Sequence, residues 1–125
     1  MAELTNEELQ AQQVEALQVV NGYIKKLISS METIITELSG EKQEDTDAFL
    51  DQIINGLNWV IEVFNGTMSL INQDKVVLNK DEVNQEVLQL SDALIAKNDA
   101  RIATVLDSGI LPFLKEFETI SGMYL

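Results

Sequence analysis

The sequence contains no cysteine and no histidine. The first absence excludes disulfides, thiolate nucleophiles and sulfur-ligated metals. The second excludes the Glu-x-x-His pairs on which a di-metal carboxylate bundle depends. It also leaves a serine nucleophile with no base beyond carboxylates and lysines. Basic residues are scarce: eight Lys and Arg stand against 21 Asp and Glu, for a net charge of -13. No basic patch hides in that average, because residues 1–40 carry six acids and two bases, 41–72 six and one, 73–98 five and three, and 99–125 four and two. Phosphate backbones and anionic headgroups would be repelled, so neither nucleic acid nor a membrane is an expected partner. No apolar run reaches the roughly 18 residues of a membrane-spanning candidate. The opening Met-Ala-Glu-Leu-Thr has neither the basic nor the apolar region of a secretory leader, so a cytoplasmic location is expected.

What the chain does have is helical periodicity. Its 125 residues are 46% apolar, enough for a single domain (1–125) with a real core. Leu17, Ile24, Met31 and Leu38 fall seven apart, and Val20, Leu27 and Ile34 interleave them. These seven side chains make one narrow seam on an α-helix, the pattern that a partner helix needs. Thr5 and Glu8 form a capping box, Leu4 and Leu9 suit a hydrophobic staple, and Gly40 supplies a left-handed stop. Helix 1 is therefore expected from about Asn6 to Leu38.

Residues 41–45 are polar, and Asp45 or Thr46 caps a second helix that runs to about Asn72. Leu50, Leu57, Phe64 and Ile71 repeat by seven along it, with Ile53 and Val60 between them and Ile54, Ile61 and Met68 widening the stripe. Gly56 and Gly66 lie inside it at a cost of roughly 1 kcal/mol each, and can admit a close neighbour. Residues 73–80 lose the period, but Val76, Val77 and Leu78 are apolar enough to fold back on the protein. A third helix is expected over about 81–96 (Val83, Val87, Leu90, Leu94), then a turn at 97–99. A fourth helix follows with Ile102, Leu106, Ile110, Phe113, Phe117 and Ile120. Pro112, the single proline, removes an N–H from it, so a kink near Ser108-Gly109 or a break into two short helices is expected. The fold class is all-α: an antiparallel four-helix bundle of two long and two shorter helices, the last kinked at Pro112. Gln10 and Gln13 occupy the seam where helix 1 overhangs the shorter helices. That end is either solvated or paired with a second copy.

No catalytic or metal-binding constellation emerges. Glu44, Asp45, Asp47 and Asp51 cluster at the start of helix 2, where they favour the helix dipole and solvate a surface. Asn72 and Asp74 loosely fit a calcium loop, yet Val76 and Val83 stand where oxygen ligands are required. Gly22, Gly40, Gly56, Gly66, Gly109 and Gly122 are too scattered to cradle a phosphate. Neither enzymatic activity nor a cofactor or metal is expected. Binding features are more promising. Trp59 falls outside the main seam of helix 2 with Phe49, Val63 and Leu70 at its edge, either to meet a third helix or to form a patch for a partner. Met123-Tyr124-Leu125 is an apolar tail beyond Gly122 that needs somewhere to dock.

The segment from Asp99 to Leu114, in which Leu106, Ile110 or Leu111, Pro112 and Leu114 fit a Leu-x-x-x-Ile/Leu-x-Pro-x-Leu pattern, resembles the end of small acidic helical proteins of Gram-positive bacteria. Gly56-Leu57-Asn58-Trp59-Val60 is similar to a Gly-Leu-x-Trp-Ile element in their second helix. In size, charge and plan the chain is also similar to flagellar-type export chaperones. The resemblance covers about residues 50–120 and implies a groove that holds a helical segment of a secreted or flagellar client. Ser108 and Gly109 depart from the acidic and aromatic residues usual before that proline, and no functional residue carries over.

The functional expectation is a non-enzymatic, protein-binding helical bundle, chaperone- or adaptor-like, with Trp59, Phe64, Phe113 and Phe117 as partner-binding candidates. The alternative is a homo-oligomeric assembly module, a homodimer in its simplest form.

Overall fold

The computed structural model describes residues 5–125, and the staple between Leu4 and Leu9 lies outside the described residues. Those residues form helices and no strand: α1 (Asn6–Ser39), α2 (Thr46–Ile71), α3 (Lys80–Ile95), α4 (Asp99–Val105), a π turn (Leu106–Ile110) and α5 (Leu111–Gly122). The last three run on without a loop, so the described residues make four helical rods, the fourth compound.

Local chemistry sets most of the boundaries. Thr5 Oγ1 accepts from the N–H of Glu8 at 3.1 Å, which is one half of the capping box. Asn79 Oδ1 accepts from the N–H groups of Asp81 and Glu82, and Asn98 Oδ1 from that of Arg101, so each shorter helix starts on an Asn cap. Gly40 does not stop α1 in the left-handed region; its φ is -131°. Closure of that corner falls instead to Thr46, whose hydroxyl accepts from Gln43 N–H at 2.7 Å and donates to Glu37 at 2.7 Å. The left-handed residue among those described is Lys97 (φ 52°), after α3. There Asn98 N–H reaches Ala93 O and Lys97 N–H reaches Leu94 O, the paired bonds of a Schellman cap.

Pro112 neither breaks the fourth rod nor leaves it a regular helix. The N–H of Leu111 bonds back five residues to Leu106 O, so the chain inserts a π turn immediately before α5, and Pro112 sits in the first turn that follows. A residue that lacks an N–H is cheapest at such a site, where the helical ladder is already re-phased.

All seven seam residues of α1 are buried. α1 packs against α2, α4, the π turn and α5, whereas α3 packs against α4 and the π turn. Polar side chains pin these contacts. Gln13 Nε2 donates to Gly66 O (3.0 Å) and Ser69 Oγ (2.9 Å), joining the start of α1 to the end of α2. Asn21 Nδ2 donates to Glu118 O (2.9 Å) and Ser121 Oγ (3.1 Å) on α5, and Gln18 Nε2 to Tyr124 O (2.8 Å). At the opposite end Lys42 pairs with Asp47 (2.8 Å) and Asp99 (3.2 Å). Hydrogen bonds first to Asp47 and then to Asp99 hold its ammonium above the usual lysine pKa. The overhang of α1 is therefore divided: Gln10 is exposed and Gln13 is buried against α2. The C-terminal tail docks on its own chain through Tyr124, while Met123 and Leu125 stay exposed.

The two glycines of α2 have different reasons to be there. A Cβ on Gly56 would overlap the Tyr23 hydroxyl of α1, whereas one on Gly66 would meet open space. Gly66→Ala is expected to raise stability by up to ~1 kcal/mol through helix propensity, and Gly56→Ala to show no such gain because its methyl displaces Tyr23. Urea midpoints of the two variants check this; equal gains would show that Tyr23 does not constrain residue 56.

Candidate functional site

Three of the four partner-binding candidates lie inside the protein. Phe64 and Phe117 are fully buried and Phe113 is 7% exposed. Their rings meet edge-on from α2 to α5 (Phe64–Phe113, 5.3 Å; Phe64–Phe117, 5.6 Å) and stacked along α5 (Phe113–Phe117, 5.8 Å). Such geometry adds to burial and makes the cluster part of the core. Trp59 stands apart from them at 38% exposure, its ring edge-on to Tyr23 of α1 at 5.2 Å. Beside this pair, Tyr23, Lys26, Phe49 and Gln52 border a hollow of about 150 Å³ between α1 and α2.

A larger concavity lies where α3 meets the compound rod. About 330 Å³ open between Val77, Leu78, Glu82, Glu86, Gly109 and Phe113, with Ser108, Pro112 and Glu116 also in the wall. A second opening of about 470 Å³ continues along α5 past Val77, Glu116, Thr119 and Ile120. Val77 and Glu116 border both, so the two form one groove.

Three local devices shape it. The Asn72 side chain clasps the 73–78 loop: its Oδ1 accepts from the N–H groups of Val77 (2.9 Å) and Leu78 (3.2 Å), and its Nδ2 donates to Leu78 O (3.1 Å). Leu78 is thereby pressed into the core, while Val77 remains 38% and Val76 68% exposed. Of the three apolar loop residues, one folds back completely. Next, Gly109 in the π turn lets the Glu86 carboxylate lie against the backbone, where a Cβ would collide with it. Third, α3 begins near Pro112, so the flank of α5 at Glu116–Ile120 has no helix laid over it.

The chemistry of the groove is an apolar floor with a carboxylate rim. Glu82, Glu86 and Glu116 line it and Lys115 is its one base. Of the candidates named from the sequence only Phe113 reaches this groove, and the sequence did not reveal the groove itself. Its signal was the run Val76-Val77-Leu78 in a loop, but nothing local placed that loop opposite Pro112. Among the described residues no group of three or more acidic side chains is placed to hold a metal ion, and no helix is long and apolar enough to cross a membrane.

Fold and groove together define a small, acidic, all-helical domain. The chain belongs to the family described as Domain of unknown function (DUF8042), whose model matches residues 15–120. The match spans the α1 seam, the 72–79 loop and the π turn. No curated protein and no solved structure matches the chain.

Asn72→Ala should lower stability by about 1–2 kcal/mol through its lost hydrogen bonds, and hydrogen exchange should quicken at the amides of Val77 and Leu78; unchanged exchange there would mean that Asn72 does not hold the loop. Phe64→Ala should cost about 3–5 kcal/mol as a core cavity. Trp59→Ala should cost nearer 1 kcal/mol, the scale of its edge-on pair with Tyr23, and chemical denaturation of the two variants separates core from surface.

Proposed function

We propose that the protein is a non-enzymatic, protein-binding helical bundle, chaperone- or adaptor-like, that holds a helical segment of its client in the groove beside α5. A secreted or flagellar client is the kind that the likeness to export chaperones implies, and a cytoplasmic site of action goes with it. In this reading the four rods form an up-down antiparallel bundle whose last member is kinked where Pro112 follows the π turn. The polar pins between the start of α1 and the ends of α2 and α5 support that arrangement. The strong negative charge argues against nucleic acid and anionic membranes as partners.

The observation that carries the proposal is the uncovered flank of α5. α3 has 16 residues against the 34 of α1, about 24 Å of helix against about 51 Å. α3 thus covers only part of the compound rod, and a guest helix laid beside α5 would complete that cover by apolar insertion between rods. Trp59 offers a second, separate anchor of the kind enriched at binding hot spots.

A second reading, self-assembly, is favoured by Leu88 and Ile95. They lie seven apart on the outer face of α3 and are 64% and 78% exposed. One experiment addresses both readings. Tagged protein is used to capture partners from lysate of the source organism, alongside Val77→Asp, a half-exposed position whose charge would block the groove without a cost to the core. A distinct protein held by the parent chain and lost by the variant is the expected result. Recovery of further copies of the same chain by both would favour self-assembly through α3.

A further inference from the structure

We infer that the occupant of the groove is a basic amphipathic helix. The inference rests on the protein-binding reading and specifies the chemistry of the partner. Val77, Phe113 and Ile120 give the floor its apolar surface, and Glu82, Glu86 and Glu116 stand around it with a single lysine, Lys115, among the lining side chains. A guest with leucine-like residues at helical spacing and Lys or Arg on its flanks matches both features. An acidic guest would place like charges across the rim, a penalty that discriminates partners more sharply than attraction alone.

The occupant is a helix rather than an extended peptide because the site has little to offer an extended backbone. Strand addition requires a sheet edge with unpaired N–H and C=O groups. Among the described residues there is no strand and so no sheet edge. What the site does offer is the flank of one helix, α5, running past the start of α3, and a helix is the shape that fits between rods. The net charge of -13 would bring any cation toward the protein, so specificity for this groove has to be separated from attraction to the whole chain.

The test uses the full chain and two synthetic amphipathic helices with the same leucine face, one with lysine and one with glutamate on the polar face. Binding is followed by fluorescence anisotropy of labelled peptide. The lysine peptide should bind and the glutamate peptide should not. The triple variant Glu82→Gln/Glu86→Gln/Glu116→Gln should bind the lysine peptide about tenfold more weakly, the sum expected of three exposed ion pairs. The triple variant Glu41→Gln/Glu44→Gln/Asp51→Asn removes the same charge from exposed positions outside the groove and should bind nearly as the parent does. Circular dichroism shows that both variants keep their helicity. An equal loss in the two variants would overturn the inference in favour of diffuse attraction. Tight binding of the glutamate peptide, lost in Val77→Asp, would overturn the preference for a basic guest and leave the groove as a protein-binding site. Binding of neither peptide would count against the groove reading itself.

Discussion

Leu17, Val20, Ile24, Leu27, Met31, Ile34 and Leu38 form a single stripe on α1, and the other rods reach one another chiefly through it. α2, α4, the π turn and α5 all pack on α1. A helix that serves two neighbours at once needs a wide apolar face, and here the width comes from half-buried residues beside the seam, Val14, Tyr23, Ile28 and Ile35. α3 escapes the constraint because it packs chiefly on the fourth rod. It can therefore be short, and its brevity leaves the groove.

An apolar stripe does not fix register, because burial is non-directional and a shift of one heptad returns a similar surface. Register comes from the polar side chains set at the edge of the stripe. Gln13 and Asn21 are buried and each donates to a backbone carbonyl and a serine hydroxyl on a neighbouring helix. A slid helix would strand those amides without partners, at a cost of roughly 1–3 kcal/mol each. Ser69 and Ser121, unremarkable in the sequence, are the complementary halves of this lock.

The rods were legible in the sequence because their period is local information. Asn6, Thr46 and the Lys97–Asp99 turn fall close to the expected boundaries, and the α1 seam is buried residue for residue. What the sequence does not display is how one period meets another. By period alone Phe64, Phe113 and Phe117 suit a core as well as an interface, and it is the meeting of α2 and α5 that puts them inside. Gly56, one turn before Trp59, admits the Tyr23 hydroxyl, and Tyr23 meets the Trp59 ring edge-on, a pairing between two helices that neither period displays. Gly40 illustrates the opposite error: glycine permits a left-handed stop without requiring one, and the corner is closed by Thr46. The groove was hidden because it arises from a length mismatch and a clasped loop, neither of which has a periodic signature.

The π turn also works as a phase shifter. It inserts one residue's worth of rotation, about 100°, between α4 and α5, so that the apolar stripes on either side need not be collinear. Ile102 and Val105 are buried before it, while Leu111 and both Phe113 and Leu114 are buried after it. Loss of any one residue from Leu106–Ile110 would restore a regular helix and turn α5 through that angle, carrying Phe117 away from Phe64 and Ser121 away from Asn21. In this stretch the number of residues is itself structural information, and a length change that a surface loop would absorb would here reassign the inside and outside of a whole helix.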